Sequence, residues 1–423
     1  MGAAGQAFVG PLSGVRVLDL TRVLAGPYCS LLLSQLGAEV IKIEEPKGDH
    51  TRTVPPFIAG LSTYFLSLNH DKKSIVLDLK RPQARALFLD LAERSDVVLE
   101  NFRPGVMDRL GIGHGALVER NPRIITCSIS GFGQDTSWKD RSAYDLTIQA
   151  LGGLMSITGE PGGNPVRCGY PIGDLGGGMF ATIAILAALH ERERLGRGQA
   201  IDVSLLEVQM ALMTYIAGSY FATGIVPEPV GSGHPSVVPY RAYRDSDQRP
   251  FVVAIFNEMF WEHLCSAIER PELHRDPRFH TNRDRLQHRA ELERILEAEF
   301  ATRDRDAWMA RFEEWDVPCA PVNTIGEAAD SPPLREREMI QRCWQPEVGE
   351  VALIREPFRF SNHGLKHAEP APALGEHTPQ ILASVLGLEP TEIQRLVDAG
   401  IVVSRTGRQA NEESERDEIK PDL

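Results

Sequence analysis

The chain has 423 residues, of which 42% are hydrophobic and 24% charged, proportions typical of a globular protein that can bury more than one domain-sized core. Its formal net charge of −13 argues against nucleic acid or an anionic membrane as the main partner. The six scattered cysteines form no C-x-x-C pair, so we expect neither a zinc site nor a disulfide framework, and reduced thiols favour a cytoplasmic location.

The first 130 residues alternate between predicted strands and predicted helices. Apolar runs predict strands at 15–20, 39–44, 74–79, 96–100 and 123–130, and helices at 27–36 and 82–94. This rhythm predicts an α/β fold, with a mostly parallel sheet covered by helices on both faces. Ligands of such sheets bind at the carboxyl ends of the strands, where residues 22–25, 101–102 and 131–133 fall.

A long apolar stretch closes the predicted large domain, which comprises residues 1–223. Residues 203–223 are numerous enough to span a bilayer, but Glu207 and Gln209 interrupt them. We therefore expect a buried core helix and no membrane partner. The Gly- and Pro-rich residues 224–239 predict a linker.

The remaining chain predicts a second, smaller domain and a return. Residues 240–323 open with a possible hairpin and continue with charged amphipathic helices, as in a small α+β domain. Residues 324–404 are expected to lead back to the large domain, with one clear helix at 380–386. The polar tail, residues 405–423, predicts disorder.

One carboxylate stands out in the segment YPIGDLGGGMFA, residues 170–181. Asp174 lies between Gly173 and three glycines at 176–178, where a loop is predicted to pass into an apolar helix at 179–190. Glycines let a large substrate approach the backbone, and a helix N-terminus offers free N–H groups. This setting suits a carboxylate nucleophile that forms an acyl intermediate. The alternative is that Asp174 is only a helix cap and the glycines only allow close packing.

Seven further segments occur in order along the chain. They are GVRVLDLTRVLAGPYCSLLLSQLGAEVIKIEEPKG (14–48), NHDKKSIVLDLK (69–80), VLENFRPGVMDRLG (98–111), SISGFGQ (128–134), GRGQAIDVSLLE (196–207), HPSVVPY (234–240) and LGEHT (374–378). This series resembles the class III CoA-transferase family from about residue 11 to residue 402. The resemblance implies a Rossmann-like large domain, a small domain and an interlocked homodimer. It also implies that Asp174 is the catalytic nucleophile, with coenzyme A as co-substrate and no metal or redox cofactor.

The resemblance also carries over residues that contact CoA in formyl-CoA transferase. Val23 and Ala25 match positions whose backbone lines the CoA groove, and Asn101 and Phe102 match an Asn–Phe pair that lies against the cofactor. The other positions carried over as CoA-binding are Leu77, Lys80, Arg109, Tyr144 and Asp145. An aromatic face can hold the adenine, while lysine and arginine can meet the phosphates.

Two departures from formyl-CoA transferase argue against formyl-CoA or oxalate as substrates. Leu24 stands where that enzyme has a glutamine near the thioester, and a glycine-rich loop is missing between Pro239 and Val252. The segments TRVLAGP, TYFLSLNHDKKSI and GSGHPSVVPY are instead similar to the succinyl-CoA-dependent branch. A dicarboxylate substrate needs a cation for its free carboxylate, and Arg22 and Arg52 are the candidates.

The resemblance therefore predicts CoA transfer from an acyl-CoA, with succinyl-CoA as the expected donor, to a small carboxylic acid. Aspartyl anhydride and aspartyl-CoA thioester intermediates are expected, with backbone N–H groups near the glycines stabilising the oxyanions. One alternative is a 2-methylacyl-CoA racemase, although those enzymes have a His-Asp pair where Tyr144 and Asp145 stand here. The other alternative is a non-catalytic CoA-binding protein, against which the intact Asp174 argues.

Overall fold

A computed structural model describes residues 9–404, which divide into two compact units. Within this range the first unit comprises residues 9–153, 169–217 and 335–404, and the second comprises 154–168 and 218–334. Residues 154–168, which the sequence assigns to the large domain, thus group with the second unit. The tail at 405–423 lies outside the described residues, so its disorder stays a prediction.

The strands and the helices are each numbered in chain order. The strands are β1 (Arg16–Asp19), β2 (Glu39–Glu44), β3 (Phe57–Ile58), β4 (Leu61–Ser62), β5 (Lys73–Leu77), β6 (Val97–Glu100), β7 (Ile125–Ser130), β8 (Ala200–Ser204), β9 (Tyr240–Arg244), β10 (Pro250–Ala254), β11 (Cys319–Pro321), β12 (Ile340–Gln345), β13 (Gly349–Ile354) and β14 (Val402–Val403). The first nine helices are α1 (Ala25–Gln35), α2 (Thr63–Asn69), α3 (Pro82–Glu93), α4 (Val106–Arg109), α5 (His114–Arg120), α6 (Asp145–Leu151), α7 (Ile172–Leu195), α8 (Leu205–Leu212) and α9 (Thr214–Thr223). The other helices are α10 (Glu258–Ala267), α11 (Glu272–Arg275), α12 (Asn282–Gln287), α13 (Arg289–Phe300), α14 (Arg305–Glu314), α15 (Ile325–Ala329), α16 (Pro332–Glu336), α17 (Thr378–Leu386) and α18 (Pro390–Asp398).

A seven-stranded sheet lies at the centre of the first unit, in the order β14-β5-β2-β1-β6-β7-β8. All neighbouring strands are parallel except β14, which pairs antiparallel with β5. Side chains of α1, α7 and α8 pack on one face of the sheet, and side chains of α3, α5, α17 and α18 pack on the other. The predicted α/β fold with a mainly parallel sheet is confirmed.

The second unit contains an antiparallel sheet in the order β11-β10-β9. The predicted hairpin is present as β9 and β10. Helices α10, α13 and α14 contribute Trp261, Phe300 and Trp308 to its core, and all three side chains are fully buried. This unit is therefore an α+β arrangement.

Two predictions about local structure are wrong, and one hairpin was not predicted. Residues 203–223 are not one buried helix, because the chain leaves β8, forms α8 and α9, and turns at Thr214 with a φ of +39°. Within the described residues, none of the side chains of α9 is buried. The sequence also missed the hairpin of β12 and β13, which has few buried apolar side chains. The helix predicted at 179–190 begins much earlier, at Ile172.

Helix α7 is long and apolar enough to cross a membrane by length and composition alone. Half of its most apolar window is buried inside the fold, where Ala181, Ile185 and Leu189 belong to the core of the first unit. A core helix of a globular unit passes the same test.

Candidate active site

Asp174 lies in the first turn of α7, so the predicted loop around it is helical. The glycines at 176–178 are inside this helix and are buried. A Cβ atom added to Gly178 would lie 2.6 Å from the carbonyl oxygen of Ala25 in α1, and one added to Gly177 would overlap Leu205 of α8. The glycines therefore let α1 and α8 approach α7. Their predicted alternative role in close packing is confirmed, and the approach of a substrate to their backbone stays a prediction.

The N–H groups of the first turn of α7 are engaged within the chain. Oδ1 of Asp145, the first residue of α6, accepts hydrogen bonds from the N–H groups of Gly173 (2.9 Å) and Asp174 (3.3 Å). The N–H groups of the other two residues of this turn donate to backbone carbonyls: Ile172 N–H to Tyr170 (2.8 Å) and Leu175 N–H to Pro171 (2.9 Å). These amides therefore already have acceptors within the chain, and the expectation that N–H groups near the glycines stabilise oxyanions stays a prediction.

The half-buried Asp174 carboxyl titrates far above an ordinary aspartate. Burial raises the pKa of Asp174 to about 7, and the negative charge of Asp145 adds to the rise. Burial also raises the pKa of the Tyr64 phenol to about 12, and the charges of Asp174, Asp49 and Asp145 contribute. Tyr64 on α2 is thus an electrostatic neighbour of Asp174 that sequence reasoning did not single out. The segment TYFLSLN is part of the similarity to the succinyl-CoA-dependent branch, and its tyrosine was the sequence signal that could have identified Tyr64 as a site residue.

The loop between β1 and α1 is held in place by two polar side chains. Asn101, which follows β6, accepts a hydrogen bond from Arg22 N–H (2.9 Å) and donates one to the Arg22 carbonyl (2.8 Å). Val23 adopts a φ of +68°, a region that β-branched residues rarely occupy, and its N–H lies 3.5 Å from Oδ1 of Asp49. The surrounding side chains therefore maintain a strained backbone here, as functional loops often require.

Four of the predicted site residues surround one cavity of about 320 Å³ near the carboxyl ends of the parallel strands. These are Arg22, Leu77, Lys80 and Phe102. Val106 and Leu110, which lie close to Arg109 in the sequence, also line the cavity. The Arg22 guanidinium lies 5.1 Å from the centre of the Phe102 ring. The cavity thus joins an aromatic face to two cations, the combination expected for a nucleotide with phosphates.

The acidic residues in the same cavity are paired. The Glu45 carboxylate lies 3.3 Å from Arg22, and Glu44 accepts two hydrogen bonds from Arg52 (2.7 and 2.8 Å). Arg52 also lies 3.7 Å from the centre of the Phe65 ring. Glu44 is only 1% exposed, so its pairing with Arg52 is structural, whereas Arg22 and Glu45 form a pair in which the side chains are 43% and 40% exposed. Arg22 is therefore the stronger candidate for a substrate carboxylate.

The other predicted residues lie in three different settings. Arg109 is exposed on α4, beside Gly105. Leu24 is buried at the start of α1, with its side chain only 8% exposed. Tyr144 precedes α6 and is 71% exposed, whereas the neighbouring Asp145 contacts the first turn of α7. Asp145 therefore joins the Asp174 environment.

Glu100 is a second carboxyl with a raised pKa, and sequence reasoning did not single it out. Glu100, at the end of β6, is buried and accepts a hydrogen bond from Phe102 N–H (2.7 Å). Burial raises its pKa to about 7, and the charges of Asp202 and Asp108 contribute. Glu100 thus supports the backbone at Phe102.

Comparisons with known proteins agree with this geometry. The model of the family described as CoA-transferase family III matches residues 12–378. The chain is 39% identical over 394 residues to succinyl-CoA:glutarate CoA-transferase of Mus musculus, covering 93% of this chain and 90% of that protein. It is 40% identical over 370 residues to acetyl-CoA:oxalate CoA-transferase of Acetobacter aceti, covering 87% and 94%. A crystal structure of a CAIB/BAIF family protein from Brucella suis is similar with a TM-score of 0.80 and 36% identity, covering 89% of this chain and 99% of that one.

Proposed function

Because the chain belongs to CoA-transferase family III and is a CoA-transferase, we propose that it moves CoA from succinyl-CoA to a small dicarboxylic acid through covalent intermediates on Asp174. The observation that carries the mechanism is the Asp174 carboxyl on the first turn of α7, whose pKa of about 7 gives a basic carboxylate near neutral pH. The dicarboxylate assignment is supported by similarity to the glutarate enzyme, while similarity to the oxalate enzyme leaves the length of the acid open.

The proposed reaction consists of four acyl transfers. The Asp174 carboxylate attacks the thioester carbonyl of the donor, forming a mixed anhydride and releasing the CoA thiolate. The thiolate attacks the aspartyl carbonyl, giving an aspartyl-CoA thioester and the donor acid. The acceptor carboxylate then attacks this thioester, forming a second anhydride and freeing the thiolate. The thiolate finally attacks the acceptor carbonyl, which yields the new acyl-CoA and restores Asp174.

Product analysis tests this proposal directly. The protein is incubated with succinyl-CoA and a panel of mono- and dicarboxylic acids, and new CoA esters are identified by mass spectrometry. CoA esters of dicarboxylates support the proposal. Exchange of the α-proton of a 2-methylacyl-CoA without transfer would instead indicate a racemase, and binding of CoA without any product would indicate a non-catalytic protein.

Arg22 is proposed to hold the free carboxylate of the dicarboxylate. We expect Arg22→Met to raise the KM for dicarboxylates about ten- to hundredfold, because a charge-assisted contact of ~1.5–3 kcal/mol is lost. The KM for a monocarboxylate of equal length should change little. Steady-state kinetics with both acids measure the difference.

Lys80 provides a matched control, because it is an exposed cation of the same cavity. Lys80→Met should raise the KM for the acyl-CoA and leave the preference for dicarboxylates intact. If Arg22→Met also raises the KM for the acyl-CoA and leaves the preference for dicarboxylates intact, Arg22 holds a CoA phosphate. The assignment of Arg22 to the free carboxylate of the substrate would then be wrong.

We also propose an interlocked homodimer. Helices α6, α7 and α8 pack on one another, yet they expose large apolar side chains: Leu146, Leu151, Met179, Phe180, Ile183, Met210 and Leu212. Monomeric proteins rarely leave such surfaces in water, and a second copy of the chain would cover them.

The assembly can be tested by dilution. Sedimentation velocity at nanomolar concentration should give dimers, because interlocked chains cannot separate without unfolding. Folded monomers at that concentration would contradict the interlocked arrangement. If dimers formed only at micromolar concentration, the protein would be a separable dimer whose chains are not interlocked.

A further inference from the structure

Asp145 was expected to contact CoA, but both oxygens of its carboxylate are engaged inside the first unit. Oδ1 accepts hydrogen bonds from the N–H groups of Gly173 and Asp174 (2.9 and 3.3 Å). Oδ2 accepts one from the side-chain amide of Gln149 (2.6 Å), which is fully buried one turn further along α6. The carboxylate is therefore held between its own helix and the first turn of α7.

We propose that Asp145 is a positioning residue for the transfer reaction: it caps α7 from a separate helix and thereby fixes the direction of the Asp174 carboxylate. The proposal rests on the proposed role of Asp174 as nucleophile. Pro171, which precedes α7, provides no side-chain cap, so this end of the helix depends on groups from elsewhere. The capped amides include that of Asp174 itself, so the hydrogen bonds act on the backbone that carries the nucleophile.

Gly173 shows that the two helices are built to meet at this point. A Cβ atom at residue 173 would lie 3.1 Å from Oδ1 of Asp145 and 3.2 Å from Cγ2 of Ile148. A larger residue would push the cap away from the amides. The close contact with Asp145, which lies 28 residues earlier in the chain, therefore explains why a glycine precedes Asp174.

Asp145 also sets part of the electrostatic environment of Asp174. The titratable groups that act on or lie near this turn are Asp145 on α6, the phenol of Tyr64 on α2, and Tyr28 on α1, which lies against Gly178. Burial contributes most to the raised pKa of Asp174, and the like charge of Asp145 adds to it. One residue therefore both orients the proposed nucleophile and adds to the basicity that burial gives its carboxylate.

Two variants separate orientation from charge. Asp145→Asn keeps an oxygen that can accept from both amides, but the negative charge is lost. Asp145→Ala removes both the acceptor and the charge. The pKa of Asp174 is followed in the free protein by ¹³C NMR of labelled aspartate carboxyls, with the Asp174 signal assigned by its absence in Asp174→Asn.

We expect Asp145→Asn to lower the pKa of Asp174 from about 7 and to move the acid limb of kcat/KM to lower pH. Asp145→Ala should lower kcat about ten- to hundredfold at every pH, because a misdirected nucleophile reacts slowly. The KM for acyl-CoA should stay near the wild-type value in both variants. A raised KM with an unchanged pKa of Asp174 would show that Asp145 binds CoA and would overturn the proposal.

A matched control removes a helix cap in the second unit. Asp304 caps α14 by accepting a hydrogen bond from Ala307 N–H (2.9 Å), and Asp304→Ala should leave kcat unchanged. An equal loss of kcat in Asp304→Ala and Asp145→Ala would mean a general effect on folding and would contradict the proposal. The NMR titration tests the effect of Asp145 on Asp174 and needs no turnover. Failure of the proposed reaction would be seen separately, as the absence of new CoA esters from the wild-type protein.

Discussion

Replacing Asp174 by asparagine is expected to lower the rate of CoA transfer at least about a thousandfold, because the amide cannot form the acyl intermediates. In the wild type, kcat/KM should rise with pH through about 7, where the carboxyl loses its proton, and this limb should vanish in the variant. Intact mass spectrometry after incubation with succinyl-CoA should detect an aspartyl-CoA adduct in the wild type and none in Asp174→Asn.

The stability of the same variant provides the control for folding. The unfolded aspartate loses its proton near pH 3.9, whereas the folded Asp174 does so near pH 7, so the folded state binds more protons between these values. The contribution of Asp174 to the stability of the wild type therefore falls as the pH rises from about 4 to about 7. Asp174→Asn removes this penalty, and its thermal midpoint at pH 8 should equal or exceed that of the wild type.

Two outcomes would contradict the role of Asp174. One is turnover above a few per cent of the wild-type value in both Asp174→Asn and Asp174→Ala, where the alanine variant excludes slow deamidation as the source of activity. The other is a CoA adduct that forms in the variants as it does in the wild type. Either result would place the nucleophile at another residue.

The fold was predictable wherever burial is continuous along the chain. β2 occupies the predicted residues 39–44, and α3 begins at the predicted Pro82, because buried strands and amphipathic helices leave distinct apolar patterns. The four predicted residues around the cavity of about 320 Å³ were located by resemblance, and the parallel strands explain why they meet at one edge of the sheet. Local sequence and fold agree in these parts of the chain.

The start of α7 was not predictable, because local preference and packing disagree there. Each glycine within a helix costs roughly 1 kcal/mol relative to alanine, so a run of three favours a loop. The missing side chains are needed where Ala25 and Leu205 of other helices approach residues 177 and 178. Such a contact joins distant parts of the chain, and no window of sequence around residue 174 contains it.

The environment of Asp174 was hidden for the same reason. Asp145 reaches the amide of Asp174 across 29 residues, and Tyr64 is more distant still along the chain. The exposure of α9 was missed for a related reason. An apolar segment predicts that its side chains are buried, but it does not reveal whether the covering surface belongs to the same chain. The resemblance located Asp174, while the structure was needed to explain its basicity.

A buried ion pair beneath the loop between β1 and α1 should produce the largest effect on stability. Nζ of Lys42 lies 2.9 Å from Oδ2 of Asp49 and donates to the Thr21 carbonyl (2.9 Å), with both charged side chains only 1% exposed. Lys42→Met keeps the length of the side chain but leaves Asp49 without its cation. We expect the free energy of unfolding to fall by about 3–5 kcal/mol, measured by denaturant titration.

Two comparisons identify the cause of this loss. Arg342 and Glu350 form an exposed pair in the first unit (3.2 Å), and Arg342→Met should cost at most about 1 kcal/mol. Adding Asp49→Asn to Lys42→Met removes the orphaned charge and should restore part of the stability. The KM for acyl-CoA should also rise in Lys42→Met, because Asp49 lies 3.5 Å from the N–H of the strained Val23.

The loss caused by Lys42→Met should depend on pH in one direction. Burial alone would raise the pKa of Asp49, but Lys42 and the hydrogen bonds from Thr51 lower it to about 2, whereas the unfolded residue titrates near 3.9. The unfolded state therefore binds the proton first, and the stabilisation through Asp49 is complete above about pH 4 and declines towards pH 2. In Lys42→Met the cation no longer opposes the effect of burial, so Asp49 takes up its proton at a higher pH than in the wild type, and the stability difference between the two should shrink as the pH falls towards 2. A difference that stayed constant as the pH fell would mean that Lys42 stabilises the loop through packing or through the Thr21 carbonyl, and that its charge pair with Asp49 contributes little.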